Sequence, residues 1–299
     1  MRLPLRKILC STDFSDCSAA AVRYGIALAA ELNATLYVCH VVDVPFAGMY
    51  GEANPDPVQL ERRSKAYAQE QMKNLIGDSD ISWESIVTIG HTADEIARIT
   101  AENGIDLVVS GTHGRSGIKR FLLGSVTERL MRVAACPLLV VRGTGKSEFR
   151  LRKILVGCDF SAFSGLAVRH ALNLAQEFES ELHLMHILEW SVYKDVIRAG
   201  SEILDDIRSD VATQMREKLE ELVPEDARHW CRPVITLTAG QPHEELSKYA
   251  LVNDIDLIAL GVRGRGMVET LFVGSNTDRL IRQAPCPVLS VRPIENREE

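Results

Sequence analysis

Two stretches of the 299-residue chain carry glycines at a spacing typical of loops that hold phosphate groups. In the first stretch, Gly111 and Gly114 are followed after nine residues by Gly124-Ser125, and the same spacing recurs from Gly261 onwards. Glycines let the backbone pass close to a ligand and adopt a positive φ in a sharp turn. A Gly-Ser pair that opens a helix presents free N–H groups and the positive end of the helix dipole to an anion. The pattern Gly-x2-Gly-x9-Gly-Ser therefore predicts two phosphate-binding loops.

Each part of this pattern also has an explanation that needs no ligand. Ser125 lies three residues before Glu128, which is the spacing of a capping box. The paired glycines alone are explained by a tight turn. Asp13 and Asp159, which follow the first predicted strand of each half, could cap the helices after them. The recurrence of the whole spacing in a strand-loop-helix context favours nucleotide binding in at least one half.

The chain is an internal duplication. Residues 111–142 match residues 261–292 without a gap, and 15 of these 32 positions are identical, where chance would give about two. The segment Lys7–Ser15 also matches Lys153–Ser161. The polar, glycine-rich segment 143–147 is the expected linker. We therefore expect two domains, residues 1–146 and 147–299.

Short apolar runs alternate with segments of helical spacing in both halves, and continuous apolar runs are typical of parallel strands covered on both faces. The pattern predicts two tandem α/β domains, each an open five-stranded parallel sheet with helices on both faces. Ligands bind such sheets beyond the carboxyl ends of the strands, where the glycine loops lie. The predicted strands are Lys7–Cys10, Leu36–Val42, Ile86–Ile89, Leu107–Ser110 and Leu138–Val141, then Ile154–Val156, Leu182–Leu188, Val234–Leu237, Leu257–Leu260 and Val288–Val291. The predicted helices are 18–32, 58–76, 93–103, 125–134 and 205–222.

Composition excludes several classes of protein. The formal net charge of −7 argues against nucleic-acid binding, which depends on clustered Lys and Arg. No apolar run is long enough to span a membrane, and the first residues lack the apolar core of a signal peptide. The seven cysteines are scattered without a Cys-x-x-Cys pair, which predicts reduced thiols and no structural metal site. We expect a cytoplasmic protein with no nucleic-acid or membrane partner.

Three further motifs are set aside. Gly145-Lys146-Ser147 imitates the end of a P-loop, but position 140 is valine and a strand follows instead of a helix. His183 and His186 are three apart on a predicted strand, so their side chains point to opposite faces and cannot share a metal ion. His40 and His186 occupy equivalent positions and are interpreted as packed, hydrogen-bonded residues.

The motifs in both halves resemble those of the universal stress protein family, in the subgroup that binds ATP. The resemblance covers nearly the whole chain and implies a Rossmann-like fold related to the adenine nucleotide α-hydrolases. It implies a stress-response protein that acts as a nucleotide-dependent binding or signalling module, with ATP, alone or with Mg²⁺, as its ligand.

Mapped residue by residue, the resemblance implies that Asp13 and Val41 hold the adenine and ribose end and that the glycine loop holds ribose and phosphates. The candidate ATP-binding residues of the first half are Ser11, Thr12, Asp13, Val41, Gly111, His113, Gly114, Arg115, Gly124, Ser125, Val126 and Thr127. Those of the second half are Cys158, Asp159, Ile187, Gly261, Arg263, Gly264, Arg265, Gly274, Ser275, Asn276 and Thr277.

The two loops differ in charge. Beyond Arg115 the first carries Lys119 and Arg120, where the second carries Glu269 and Thr270. We expect the first half to bind ATP more tightly, unless Arg263 compensates as a second-half phosphate ligand.

Catalysis is not expected, because the loops offer glycine, hydroxyl and cationic side chains but no positioned base. Slow ATP hydrolysis stays open, since Asp13 and Asp159 could approach a magnesium ion. An adenylating enzyme of the α-hydrolase group is disfavoured because the segment 11–15 has no glycine. A nucleotide-independent interaction protein is the other alternative. The resemblance also implies pairing of the two last strands within the chain, with a homodimer left open.

Overall fold

The computed structural model describes residues 5–42, 57–112, 123–142, 149–188, 201–262 and 274–292. Two compact units make up the chain, built mainly from residues 4–149 and 150–293. In both units strands and helices alternate, as the sequence predicts.

The described part of the first unit contains five strands and four helices. In chain order they are β1 (Lys7–Ser11), α1 (Asp16–Leu32), β2 (Thr35–Val42), α2 (Pro57–Ile76), β3 (Trp83–Ile89), α3 (Thr92–Asn103), β4 (Leu107–Gly111), α4 (Ser125–Val133) and β5 (Leu138–Val141).

The described part of the second unit repeats this order. Its elements are β6 (Lys153–Gly157), α5 (Ala162–Phe178), β7 (Glu181–Leu188), α6 (Ser201–Glu221), β8 (Val234–Ala239), α7 (Pro242–Val252), β9 (Leu257–Gly261), α8 (Ser275–Gln283) and β10 (Val288–Val291).

All neighbouring strands within each unit are parallel, which confirms the predicted sheet type. In the first unit the strands lie in the order β3-β2-β1-β4-β5, and in the second β8-β7-β6-β9-β10. In the first unit β2 and β3 therefore lie on one side of β1, and β4 and β5 lie on its other side. The second unit has the same arrangement around β6. At such a reversal two loops diverge at the carboxyl ends of adjacent strands and leave a crevice between them.

The central strands are covered on both faces. Ile8 and Leu9 of β1 have no exposed surface, and every residue of β4 is buried. Helix α1 packs on β1 and β4, and α3 packs beside α4. Because both faces of these strands are buried, their sequences are continuous apolar runs and do not alternate with polar residues.

The boundaries of some elements differ from the prediction. Helix α1 begins at Asp16 and not at Ser18, because Ser15 is its N-cap and accepts a hydrogen bond from the Ser18 amide. Strand β3 begins at Trp83 and not at Ile86. It lies at one edge of the sheet of its unit, where polar residues such as Glu84 weaken the apolar pattern that marks a buried strand.

All seven cysteines are free, and six of them are buried. Burial raises the pKa of the Cys39 and Cys136 thiols to about 12, so these thiols are protonated and unreactive. Among the described helices, none combines the length and the apolar character needed to cross a membrane.

Candidate functional site

The candidate site of the first unit lies where β1 and β4 end side by side. β1 pairs with β4 through Ile8 to Cys10, so the segment after Ser11 and the segment after Gly111 leave the same edge of the sheet. A chain of hydroxyl groups links the two exits. Ser11 Oγ donates to Ser110 Oγ at 3.2 Å, and Ser110 Oγ lies 3.3 Å from Thr127 Oγ1.

The loop between β1 and α1 is held by its own polar side chains. The Thr12 amide donates to the Cys39 carbonyl of β2 at 2.9 Å. Thr12 Oγ1 accepts a hydrogen bond from the Phe14 amide at 3.0 Å, and Asp13 Oδ1 accepts from the Ser15 amide at 3.1 Å and from Ser15 Oγ at 2.6 Å. The predicted residues Ser11, Thr12 and Asp13 are thus fixed at the mouth of the crevice.

The N-cap residues of the helices after β1 and β6 are serines, and not Asp13 and Asp159. Ser15 is the N-cap of α1, and Ser161 is the N-cap of α5. In the second unit Asp159 Oδ1 accepts from the Ser161 amide at 2.9 Å. The alternative that Asp13 and Asp159 cap these helices is therefore wrong: each orients the residue that does.

Helix α4 begins at the carboxyl edge of the sheet, as predicted. The Gly124 amide donates to the Thr112 carbonyl at 2.8 Å, and Thr127 Oγ1 donates to the Gly111 carbonyl at 2.7 Å. The second unit repeats both contacts, from Gly274 to Val262 at 2.9 Å and from Thr277 to Gly261 at 3.1 Å. Both helix starts are therefore tied to the end of the preceding strand.

The capping-box explanation for Ser125 is wrong, because the N-cap of α4 is Gly124 and Ser125 is the first helical residue. Glu128 instead accepts a hydrogen bond from Arg132 at 3.1 Å. The N-cap of α8 is Gly274, followed by Ser275, Asn276 and Thr277. A glycine N-cap has no side chain to satisfy the first amides of its helix, and those amides are the groups that bind an anion.

Gly111 and Gly261 have a structural reason to be glycine. A Cβ on Gly111 would lie 3.0 Å from the Cys17 carbonyl oxygen, and a Cβ on Gly261 would lie 2.6 Å from Phe163 Cβ. Both glycines are the last residues of their strands, and neither has a positive φ. Gly111 therefore does not use the positive φ that glycine tolerates; its close neighbour is the first turn of α1.

Val41 and Ile187 lie near the carboxyl ends of β2 and β7, beside the loops that contain Asp13 and Asp159. Both side chains are buried in the apolar core, so any polar contact from these two residues comes from their backbone groups. The predicted residues His113, Gly114, Arg115, Arg263, Gly264 and Arg265 lie outside the described residues, together with positions 119, 120, 269 and 270, at which the two loops differ in charge.

Cys158 replaces Thr12 in the second unit. The sulfur lies 3.7 Å from the Val156 carbonyl oxygen, and burial raises the pKa of the thiol well above its usual value. A buried thiol with a raised pKa is not a nucleophile, and sulfur is a weak acceptor compared with the Thr12 hydroxyl. The loop of the second unit is therefore held by a weaker side chain at this position.

The sequence did not assign two residue pairs to the site, Phe14 with His40 and Phe160 with His186. His40 Nδ1 lies 2.8 Å from the Thr12 carbonyl oxygen, and the rings of Phe14 and His40 are 4.6 Å apart. His40 is hydrogen-bonded and part-buried, as predicted, but its partner is the candidate loop. The recurrence of Asp-Phe-Ser and of this histidine in both halves was the available signal.

His183 and His186 have separate partners. His183 Nδ1 lies 2.8 Å from the Tyr249 hydroxyl, whereas His186 Nδ1 lies 2.7 Å from the Cys158 carbonyl oxygen. This separation agrees with the prediction that they face opposite sides of the sheet. No three His, Cys, Asp or Glu side chains converge as a metal site within the described ranges.

Comparison with known proteins identifies the family. The family model described as "Universal stress protein family" matches residues 4–142 and again residues 150–292. The chain belongs to the universal stress protein family. It is a tandem member, because the two matches together span nearly all of it.

Curated universal stress proteins are similar to one half or to the whole chain. A relative from Methanocaldococcus jannaschii, MJ0531, is 35% identical over 46% of this chain and 82% of its own length. A universal stress protein of Mycolicibacterium smegmatis is 26% identical over 96% of this chain and 97% of its own length. Tandem universal stress domains of this length therefore occur in other proteins.

The solved structure of a universal stress protein from Archaeoglobus fulgidus shares the fold. It is 20% identical, has a TM-score of 0.67 and covers 97% of both chains. This likeness establishes the universal stress protein fold for the tandem chain.

Proposed function

We propose that this universal stress protein binds ATP in the crevice of each unit and acts as a nucleotide-dependent binding or signalling module in stress response. The observation that carries the proposal is the pair of glycine-capped helices, α4 and α8, which begin beside the Asp13 and Asp159 loops. Helix amides attract phosphate, and the strand exits beside them leave room for a nucleoside at the point of strand reversal.

The site residues have separate roles in this proposal. Gly124, Ser125, Val126 and Thr127 begin α4 and supply amides to the phosphates, while Asp13 and the backbone at Val41 hold the nucleoside end. Gly274, Ser275, Asn276 and Thr277 take the same roles in the second unit, with Asp159 and Ile187. The outlying residues His113, Gly114, Arg115, Arg263, Gly264 and Arg265 complete the phosphate loops.

Binding, and not turnover, is the proposed activity. In the described part of the two sites the loop carboxylates are Asp13 and Asp159, and each accepts from a neighbouring serine amide. Glu128 and Asp278, in the first turns of α4 and α8, instead accept from the arginines four residues later. A carboxylate engaged in this way suits magnesium or ribose binding better than proton abstraction from water. Free, mostly buried thiols support action in the reducing environment of the cytoplasm.

The first test is equilibrium binding of ATP with Mg²⁺ to the nucleotide-stripped full chain, counted as moles bound per mole of protein. We expect two sites of unequal affinity. The first unit is the tighter one because Arg115, Lys119 and Arg120 add positive charge to its loop. A folded chain that binds no adenine nucleotide would contradict the proposal and favour a nucleotide-independent interaction protein.

The variant Gly124→Asp should weaken ATP binding without destabilising the fold. Aspartate is a favourable N-cap residue, so the variant should keep its stability or gain a few tenths of a kcal/mol, while its carboxylate repels phosphate. We expect the higher-affinity phase of the ATP titration to disappear. Gly274→Asp is the matched control and should remove only the weaker phase; loss of the weaker phase in Gly124→Asp instead would reverse the assignment.

Two further predictions concern assembly, within one chain and between two chains. The pairing of Leu138–Val141 with Val288–Val291 and the association of two chains rest on the family resemblance. The mass of the chain in solution at several concentrations tests the second of them.

A further inference from the structure

The loop between the first strand and the first helix of each unit contains a strained residue. Phe14 has a φ of 63° and Phe160 a φ of 62°. Left-handed backbone is uncommon outside glycine and asparagine, and it is a marked outlier for a bulky aromatic residue. Because the same residue type adopts the same conformation in both copies, the strain is a property of the motif.

A histidine from the neighbouring strand contacts each strained loop. His40 Nδ1 lies 2.8 Å from the Thr12 carbonyl oxygen, and His186 Nδ1 lies 2.7 Å from the Cys158 carbonyl oxygen. A carbonyl oxygen only accepts, so in both cases Nδ1 carries the hydrogen and donates it. Each imidazole also packs on the phenylalanine of its loop, with ring centres 4.6 Å apart and ring planes tilted by 36° and 45°.

The two contacts of each histidine lie on either side of the candidate aspartate. Thr12 precedes Asp13 and Phe14 follows it. His40 therefore holds the backbone carbonyl on one side of Asp13 and contacts the phenylalanine ring on the other side. The left-handed turn at Phe14 then lets the Ser15 amide reach Asp13 Oδ1 at 3.1 Å. The second unit has the same arrangement, with 2.9 Å from the Ser161 amide to Asp159 Oδ1.

We propose that His40 and His186 are positioning residues that clamp the strained Asp-Phe-Ser loop of each unit in the shape that receives the nucleotide. The inference rests on the proposed function and deepens it by naming what sets affinity at each site. Strain at an observed outlier persists only where surrounding contacts hold it and is concentrated at functional loops. A loop already held in its bound shape spares the ligand the cost of ordering it.

The test is ATP titration of the full chain with His40→Leu and His40→Asn. Leucine fills space but has no donor, whereas the asparagine amide can donate from nearly the position of Nδ1. We expect His40→Leu to raise the Kd of one site by about tenfold, the effect of one lost hydrogen bond. His40→Asn should stay within about threefold of the wild type, and His186→Leu should weaken only the other site.

A purely structural role predicts a different result. His40→Leu would then lower the thermal midpoint of the nucleotide-free chain, while ATP would bind with unchanged Kd well below that midpoint. That outcome overturns the inference and leaves the proposed function intact, as does equal weakening by leucine and asparagine. Absence of ATP binding by the wild-type chain would instead contradict the proposed function itself, and the inference with it.

Phe14→Gly keeps the inference testable if His40→Leu does not fold. Glycine adopts a φ near 63° without strain, so the fold is retained while the ring contact with His40 is lost. We expect the Kd of the first site to rise by about threefold with little change in thermal midpoint, because the ring contact is lost while His40 still donates to the Thr12 carbonyl. An unchanged Kd in Phe14→Gly would overturn the inference.

Discussion

At the scale of single residues, the glycines of the signature divide into two kinds. Gly111 and Gly261 end their strands against the first turns of α1 and α5, so packing favours glycine at both positions whether or not a ligand binds. Gly124 and Gly274 are N-caps with negative φ, a conformation that any residue adopts. Glycine is among the preferred N-cap residues, and at both positions it leaves the first amides of the helix without a side-chain cap.

Gly261→Ala should destabilise the second unit. The new Cβ would lie 2.6 Å from Phe163 Cβ and 2.8 Å from its carbonyl carbon, so α5 must move, at a cost of about 1–3 kcal/mol. Gly111→Ala should cost less, because its nearest contact is 3.0 Å. Urea unfolding at constant pH measures both.

Gly165→Ala is the matched control for this comparison. Gly165 lies in α5, and a Cβ there would meet nothing within 4 Å. Alanine in a helix is favoured over glycine by about 0.5–1 kcal/mol, so this variant should gain stability. Equal losses in Gly261→Ala and Gly165→Ala would show that the close approach to α5 has no energetic effect.

At the scale of elements, equivalent helices end in the same backbone conformation with different residues. The C-cap of α1 is Asn33, with a φ of 49°, and the C-cap of α5 is Glu179, with a φ of 53°. Asparagine tolerates the left-handed conformation, whereas a glutamate there has no compensating preference. The second unit therefore carries strain at a position where the first does not.

Glu179→Gly should stabilise the second unit by about 0.5–1 kcal/mol, because glycine removes the left-handed penalty at a helix end. The reverse change is Gly104→Ala, at the end of α3, where φ is 60° and the space around a Cβ is open. It should cost about 1 kcal/mol. Thermal unfolding monitored by circular dichroism checks both, and a destabilised Glu179→Gly would contradict the argument.

At the scale of the whole molecule, the duplicated units have diverged in buried ionisable groups. His183 of the second unit is 4% exposed, and its counterpart in the first unit is Tyr37. Burial lowers the pKa of His183, Glu181 opposes this change, and Lys153 adds to it. The groups around the imidazole are the Tyr249 hydroxyl, Glu181 Oε1 at 3.1 Å from Nε2, and the more distant Lys153.

Acid should therefore weaken the second unit first. The unfolded chain takes up a proton at His183 near pH 6.5, whereas the folded unit takes it up only at lower pH. The stability contributed by neutral His183 is thus complete above pH about 6.5 and is lost as pH falls through the folded pKa. Hydrogen exchange should show faster opening of β7 and α7 than of β2 and α3 at pH 5 relative to pH 7.5.

His183→Gln is the control for this prediction, since glutamine does not titrate. The difference in exchange between the two units should then change less with pH. An unaltered pH dependence in His183→Gln would assign the acid sensitivity to another group.

The sequence by itself determined the duplication, the alternating parallel fold and the edge of the sheet at which the glycine loops lie. Local patterns in the sequence predict these features: continuous apolar runs, helical spacing and repeated glycines. The tertiary structure decided which residues do what at that edge. Only through-space distances show that Gly111 avoids the backbone of α1, that Ser15 caps α1, and that His40 holds the carbonyl of Thr12, 28 residues away in the chain. Such contacts join separate strands and helices, and no periodicity along the chain encodes them.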